Sequence, residues 1–215
     1  MSMQNDVRVI RNEKLGKKVC DTLNGRGFAA YYCATKEEAL EKALALIPQE
    51  STVTWGGCKS AEEIGLIDAV KNGNYKALDR SAAQTPEERT AMMKQAFTCD
   101  VFLTGTNAIT ETGELVNIDG IGNRVAAMTY GPDSVIVIAG MNKLVPNVMD
   151  AANRARNTAA PINAQRFDIK TPCKIDGACH DCNSPESICS YIVRTRRCKP
   201  EGRIKVILVG ESLGF

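Results

Sequence analysis

The sequence predicts an α/β fold: an open, mainly parallel sheet flanked by helices. Two observations carry this. The best strand candidates are continuously apolar, with no alternation, as in strands buried on both faces: Val135-Ile136-Val137-Ile138-Ala139, the run from Ile204 to Gly210, and Val101-Phe102-Leu103. Between the strands lie stretches with helical spacing, so strands and helices alternate along most of the chain. A length of 215 residues suits one such domain, with or without a small appendage.

The elements follow in order. Residues 5 to 24 place Val7, Ile10, Leu15, Val19 and Leu23 at helical spacing, and Gly25 and Gly27 end that helix. Residues 28 to 34 read as a short strand. Thr35 and Glu38 form a capping box for a helix that Pro48 stops. Residues 51 to 55 are a β-branched strand. After Gly56-Gly57, Ser60 and Glu63 are expected to form a second capping box. Residues 75 to 79 read as a strand. Thr85, Pro86 and Glu88 open a helix with proline at its first position. The strand 101 to 105 leads to a hairpin around Thr112-Gly113 with a short strand near 114 to 118. A helix follows from Gly122, then the strand 134 to 140, a helix from 145 to 160 and the last strand at 204 to 210.

Residues 161 to 203 break the pattern. They are cysteine-rich and irregular, and read as an insertion on a domain formed by residues 1 to 160 and 204 to 215. The chain shows no internal repeat and no low-complexity segment.

Composition excludes several classes. A net charge of +2 gives no global case for nucleic acid or a membrane surface. The densest basic run, Arg194-Thr195-Arg196-Arg197, is short and reads as a solvated helix end or turn. The polar N-terminus is not a signal peptide, and no apolar run reaches the roughly 18 residues of a membrane span. The cytoplasm is the expected compartment. Nine cysteines in that setting are thiols or metal ligands before they are disulfides. There is no GxGxxG after the first strand and no GxxxxGK[ST], so NAD and ATP motifs are missing. The single histidine, His180, and the lack of a GxSxG serine leave no catalytic triad.

Three polar loops sit where strand carboxyl ends meet helix amino ends, the usual ligand position in such sheets. The first holds Gly56, Gly57 and Ser60. Paired glycines allow close approach of backbone to a ligand, and free N–H groups of a following helix favour an anion. The second contributes Thr104, Gly105, Thr106 and Asn107, then Asn117, Asp119, Gly120, Asn123 and Arg124. An arginine in a first helical turn opposes the helix dipole unless it meets an anion, either a ligand or a side chain such as Asp119 or Glu114. The third carries Asn142 and Lys143, the latter a point charge for phosphate or carboxylate.

Cys173, Cys179, Cys182 and Cys189 form a cluster that contains one CxxC. Four thiolates suit zinc or an iron–sulfur cluster, although the remaining spacings match no regular motif of either. Packing of reduced thiols is the alternative. Cys20, Cys33 and Cys99 read as small core residues. Cys58 follows the glycine pair, where a helix N-terminus could lower a thiol pKa, or where it simply packs.

The block from Phe102 to Val145, with residues 159 to 166 and the run Cys179 to Cys189, resembles the lactate-utilisation (LUD) domain family of lactate utilisation protein C. The cysteine lobe is similar to that of stand-alone members. The resemblance implies a NagB/RpiA/CoA transferase-like fold. It implies support of L-lactate oxidation to pyruvate alongside iron–sulfur oxidoreductase subunits, and it favours iron–sulfur over zinc on the cysteines. It further implies a small anionic metabolite as ligand. Where sugar-phosphate isomerases of this fold keep Gly-Ala-Asp, this chain has Gly105-Thr106-Asn107, and an amide cannot shuttle a proton as a carboxylate does. Glu111 or Glu114 are the remaining candidates for a catalytic carboxylate, as a CoA transferase would use one. Two alternatives stand beside the lactate reading. One is an isomerase- or CoA-transferase-like enzyme acting on a phosphorylated or CoA-linked metabolite. The other is a zinc-stapled regulatory or scaffolding module. Self-association into a homo-oligomer is compatible with all three.

Overall fold

The computed structural model describes residues 6–215. The expected helix start at Asn5 and the polar segment before it lie outside the described residues. The chain runs α1 (Val7–Asn24), β1 (Ala29–Cys33), α2 (Lys36–Ala45), β2 (Thr52–Trp55), α3 (Lys59–Glu63), α4 (Leu66–Asn72), β3 (Lys76–Leu78) and α5 (Pro86–Gln95). Then come β4 (Val101–Gly105), β5 (Ala108–Thr110), β6 (Leu115–Asp119), α6 (Asn123–Thr129), β7 (Ser134–Gly140), β8 (Leu144–Val145) and α7 (Val148–Arg154). Last are α8 (Ala160–Ala164), α9 (Pro172–Asp176), β9 (Tyr191–Thr195) and β10 (Ile204–Val209).

Six strands form one sheet in the order β1-β10-β7-β4-β2-β3, and every neighbouring pair is parallel. This is the open parallel sheet expected from the apolar runs. Each strand feeds both faces. Val135 and Val137 with Val206 and Leu208 pack against α1 and α6. Ile136 and Ile138 with Ile207 and Val209 pack against α2, α3 and α4. Each such aliphatic side chain contributes roughly 1.5–3 kcal/mol on burial, so β7 and β10 anchor the domain.

A second sheet was not expected beyond its hairpin. It has four strands in the order β8-β5-β6-β9. β5 and β6 form the antiparallel hairpin, turned by Gly113 at φ 79°, a conformation that strains any residue with a Cβ. β9 pairs antiparallel along all of β6, so the segment 161 to 203 is not wholly irregular. β9 escapes a sequence reading because Tyr191 and Ile192 are exposed and give no alternation.

Other local expectations resolve in detail. At α5 both halves of the capping box form between Thr85 and Glu88. At α2 the Thr35 side chain accepts from the Glu38 N–H, while the Glu38 carboxylate reaches the Ala34 N–H. The expected box at Ser60 and Glu63 does not form. α3 starts earlier, with Cys58 as N-cap and its Sγ accepting from the Ala61 N–H at 3.4 Å. Ser60 is already helical and turned inward, and Glu63 accepts instead from the Gly214 N–H at 2.8 Å. The expected helix after Val145 begins at Val148, widens into a π turn over Ala155–Ala159 and continues as α8. Pro161 supplies the reason: it has no N–H and its ring crowds the preceding turn, which a wider turn relieves.

Candidate functional site: a cationic cleft at the sheet edge

The loops after β2, β4 and β7 converge because those strands are adjacent in the sheet. With the turn after β6 they wall a cleft of about 410 Å³. That lies within the roughly 300–1,000 Å³ of small-molecule sites. From the first loop Gly57 and Ser60 line it. From the second come Gly105, Thr106 and Asn107, with Asp119, Gly120, Asn123 and Arg124. From the third comes Lys143.

Four of the expected ligand-binding residues serve the walls and do not line the cleft. Gly56 is buried, and a Cβ there would meet the Arg124 side chain at 3.2 Å. Thr104 is fully buried within β4. Asn117 is buried between the sheets, where its oxygen accepts from Arg124 Nη1 at 2.7 Å and its side-chain nitrogen lacks a protein partner. Asn142 holds the C-terminal segment: its side chain accepts from the Leu213 N–H and donates to the Gly214 carbonyl. Gly140 permits that approach, since a Cβ there would lie 2.4 Å from the Leu213 nitrogen.

Arg124 organises the floor. Nη1 donates to the Asn117 side chain and to the Gly105 carbonyl, and Nη2 to the Asn107 side chain and the Ile118 carbonyl. Nε faces the Asp119 carboxylate at 3.4 Å. Its donors are therefore met by the protein, and Asp119, rather than a ligand, answers its charge. Burial lowers the guanidinium pKa and Asp119 opposes that shift.

Arginines that the sequence reading did not select dominate the rim. Arg80, in the one-turn helix Arg80–Ala82, Arg89 on α5 and Arg166 just past α8 all line the cleft. A Cβ at Gly57 would meet Arg80 Nη2 at 3.6 Å and Arg166 Nη1 at 3.8 Å, so the two guanidinium groups flank this glycine. Among the described residues none of the three makes an ion pair. Asp79, next to Arg80, pairs with Lys71 at 2.6 Å and accepts from Ser81. Burial and then the positive charge of Arg89 lower the Arg80 pKa, and Asp119 opposes them. These arginines come from distant parts of the chain, and no local motif marks them.

Deeper in the cleft, Lys143 is only 4% exposed and donates to Ser60 Oγ at 3.0 Å. Cys58 lies against the same wall: a Cβ at Gly105 would be 3.2 Å from Cys58 Sγ and 3.8 Å from Lys143 Nζ. The thiol pKa is raised by burial, with Lys143 opposing, so the helix N-terminus does not make Cys58 a ready thiolate. Cys20, Cys33 and Cys99 are buried core thiols, as their apolar surroundings suggested.

The glutamates expected as weak catalytic candidates lie elsewhere. Glu114 is 2% exposed and bidentate to Arg194, at 3.0 and 2.8 Å, with Arg26 at 3.2 Å. It ties β6 to β9 and α1's far end, and so accounts for Arg194, which is a strand residue rather than part of a turn. Neither Glu111 nor Glu114 lines the cleft.

Cys173, Cys179, Cys182 and Cys189 line one small cavity of about 70 Å³, together with His180 and Asp181. His180 pairs with Asp176 at 2.6 Å, and Arg156 pairs with Asp181. Among the described residues no three His, Cys, Asp or Glu side chains are arranged to hold a metal ion. The four thiols thus share a site in kind but stand apart in this conformation.

The LUD domain family pattern matches residues 16–209. The chain belongs to the LUD domain family. Among solved structures this LUD domain is similar to a DUF162 family protein from Deinococcus radiodurans, with 14% identity over 92% of this chain and 98% of that one, at a TM-score of 0.51. It is also similar to ribose 5-phosphate isomerase from Plasmodium falciparum, with 15% identity over 52% of each chain and a TM-score of 0.33. A third likeness is to 5-methylthioribose 1-phosphate isomerase from Pyrococcus horikoshii OT3, with 16% identity, 89% of this chain and 52% of that one covered, and a TM-score of 0.30. At such identities the likeness concerns the fold alone. No curated protein matches the chain. Among the described residues no helix is long and apolar enough to cross a membrane.

Proposed function

We propose that this LUD domain protein binds a small, multiply anionic metabolite in the cleft and, in the cytoplasm, supports oxidation of L-lactate to pyruvate. The observation that carries the ligand class is the trio Arg80, Arg89 and Arg166 lining the cleft, cationic and without ion-pair partners among the described residues. Among the described residues Asp119 is the only acidic side chain lining the cleft, and Arg124 answers it. A carboxylate or phosphate entering there would accept forked hydrogen bonds from guanidinium groups at little further desolvation cost. Lactate enters through the family resemblance, as do iron–sulfur oxidoreductase subunits as partners.

Cys173, Cys179, Cys182 and Cys189 would hold a cluster or zinc, the donor set being right in kind for either. A cluster would supply single-electron transfer, and zinc would staple the lobe. A phosphorylated or CoA-linked metabolite is the second reading of the same cleft, favoured by the exposed Gly57 between two guanidinium groups. Native mass spectrometry of anaerobically purified protein tests these readings together with iron and zinc analysis. A co-purified carboxylate or phosphate ester supports the cleft. Protein that carries no anion and takes up none on titration contradicts it.

A further inference from the structure

Beyond binding, and resting on the reading that the cleft receives an anionic metabolite, we infer that Lys143 is an amine nucleophile that forms an imine with a small carbonyl compound bearing a carboxylate or phosphate. Lys143 lines the cleft yet is almost wholly buried, and among the described residues it makes no ion pair. A lysine placed for electrostatic structure would be expected to meet a carboxylate. Its one hydrogen bond goes to Ser60 Oγ at 3.0 Å, and Ser60 spends its own proton on the Leu213 carbonyl at 3.3 Å. Ser60 therefore holds the nitrogen in place without occupying the lone pair of the neutral amine. Space beside the nitrogen is kept open by Gly105, whose missing side chain would stand 3.8 Å away.

The surroundings favour the neutral form. Burial lowers the Lys143 pKa to about 8, helped by Arg154 and Arg124 and opposed by Cys58 and Glu63. At pH 7 the neutral fraction is then roughly 300-fold that of a solvent lysine. The guanidinium rim holds the anionic end of the substrate, and the carbonyl end reaches inward. Nζ attacks the carbonyl carbon, the C–N bond forms, and the π electrons move to oxygen, which takes up, through water, the proton that the nitrogen gives up. The hydroxyl of the resulting carbinolamine takes one further proton from solvent, the C–O bond breaks, water leaves and the nitrogen lone pair closes the C=N bond; amine, carbonyl and one proton thus give iminium and water, with no oxidant.

The experiment treats the full chain with pyruvate, and in parallel with dihydroxyacetone phosphate, in the presence of cyanoborohydride, and maps the reduced adduct by peptide mass spectrometry. Binding of each probe is measured separately by calorimetry. The expected result is an adduct on Lys143 well ahead of every surface lysine, with a labelling rate that reaches half its plateau near pH 8. Which probe labels tells an oxo-acid from a phosphorylated carbonyl. Ser60→Ala is expected to keep the fold and reduce the selectivity for Lys143, and Lys143→Met to abolish the cleft adduct. Probe binding without an adduct on Lys143, or labelling no faster than at surface lysines, overturns the imine and leaves the anion cleft standing. Absence of both binding and adduct overturns the two together.

Discussion

Arg124 Nη2 donates to the Asn107 side-chain oxygen at 3.1 Å, and the same oxygen accepts from the Ile118 N–H at 2.9 Å. One amide thus joins the end of β4 to β6 and to the first turn of α6. Asn107 is here a structural pivot. Arg124→Met should remove one charged donor each from Asn107, Asn117, Asp119 and two carbonyls, leaving the Asp119 carboxylate without its cation. The expected loss is about 3–5 kcal/mol, the cost of breaking a buried pair from one side, read by urea denaturation. Arg124→Lys should recover only part of it, because one ammonium cannot reproduce the fork.

Glu114 gives the contrasting case. Its carboxylate serves Arg194 and Arg26 away from the cleft. Glu114→Gln should lower stability by about 1–3 kcal/mol and leave anion binding in the cleft unchanged, as calorimetry would record. Loss of ligand binding without loss of stability would restore it as a functional carboxylate.

Lys143 predicts a pH dependence of stability. Its folded pKa, about 8, lies below the ordinary 10.5. Below pH 8 both folded and unfolded chains carry the proton, and the cost of the buried charge is present in full. Between pH 8 and 10.5 the unfolded chain binds more protons, so stability rises with pH, by on the order of 3 kcal/mol across the window. Buried thiols oppose this. Cys20, with its pKa raised to about 12 by burial, keeps its proton in the fold while the unfolded thiol loses it above pH 9, so stability falls there. Lys143→Met shares the thiol contribution, and the difference between the two proteins isolates the lysine. Identical pH profiles for wild type and variant would refute the shift.

The cysteine lobe predicts metal uptake. Anaerobic reconstitution should load iron onto Cys173, Cys179, Cys182 and Cys189, and Cys179→Ser should lower the iron content. Stoichiometric zinc instead would assign the staple, and protein that binds neither metal would leave the four as packed thiols.

The legible parts of this molecule are those whose signal is local. β7 and β10 are buried on both faces, so five aliphatic residues in a row at 135 to 139 announce a parallel sheet. The capping box at Thr85 and Glu88 is a contact across one helical turn. The three polar loops were legible because adjacent parallel strands end at one edge. Cys58 was not legible as a cap, since sulfur seldom takes that role and Ser60 offered a better oxygen. β9 was hidden by its exposed Tyr191 and Ile192. The arginine trio was hidden because a one-turn helix, α5 and the end of α8 meet only in the folded chain. Arg124 and its pairing with Asp119 were legible, because both lie within one short stretch, but Asn107 and Asn117 were not: only the fold brings them around the guanidinium.

Titration of the protein with pyruvate, inorganic phosphate and an acyl-CoA, at low and at raised salt, tests the central reading most directly when wild type is compared with the Arg80→Ser, Arg166→Ser double variant. Both arginines lie at the rim and donate to no buried acceptor, so the variant should fold. The expected result is saturable binding of at least one anion to wild type, weakened by salt, with a loss of at least about tenfold in the variant, the equivalent of about 1.4 kcal/mol. Equal affinity of the two proteins for every anion that binds would contradict it.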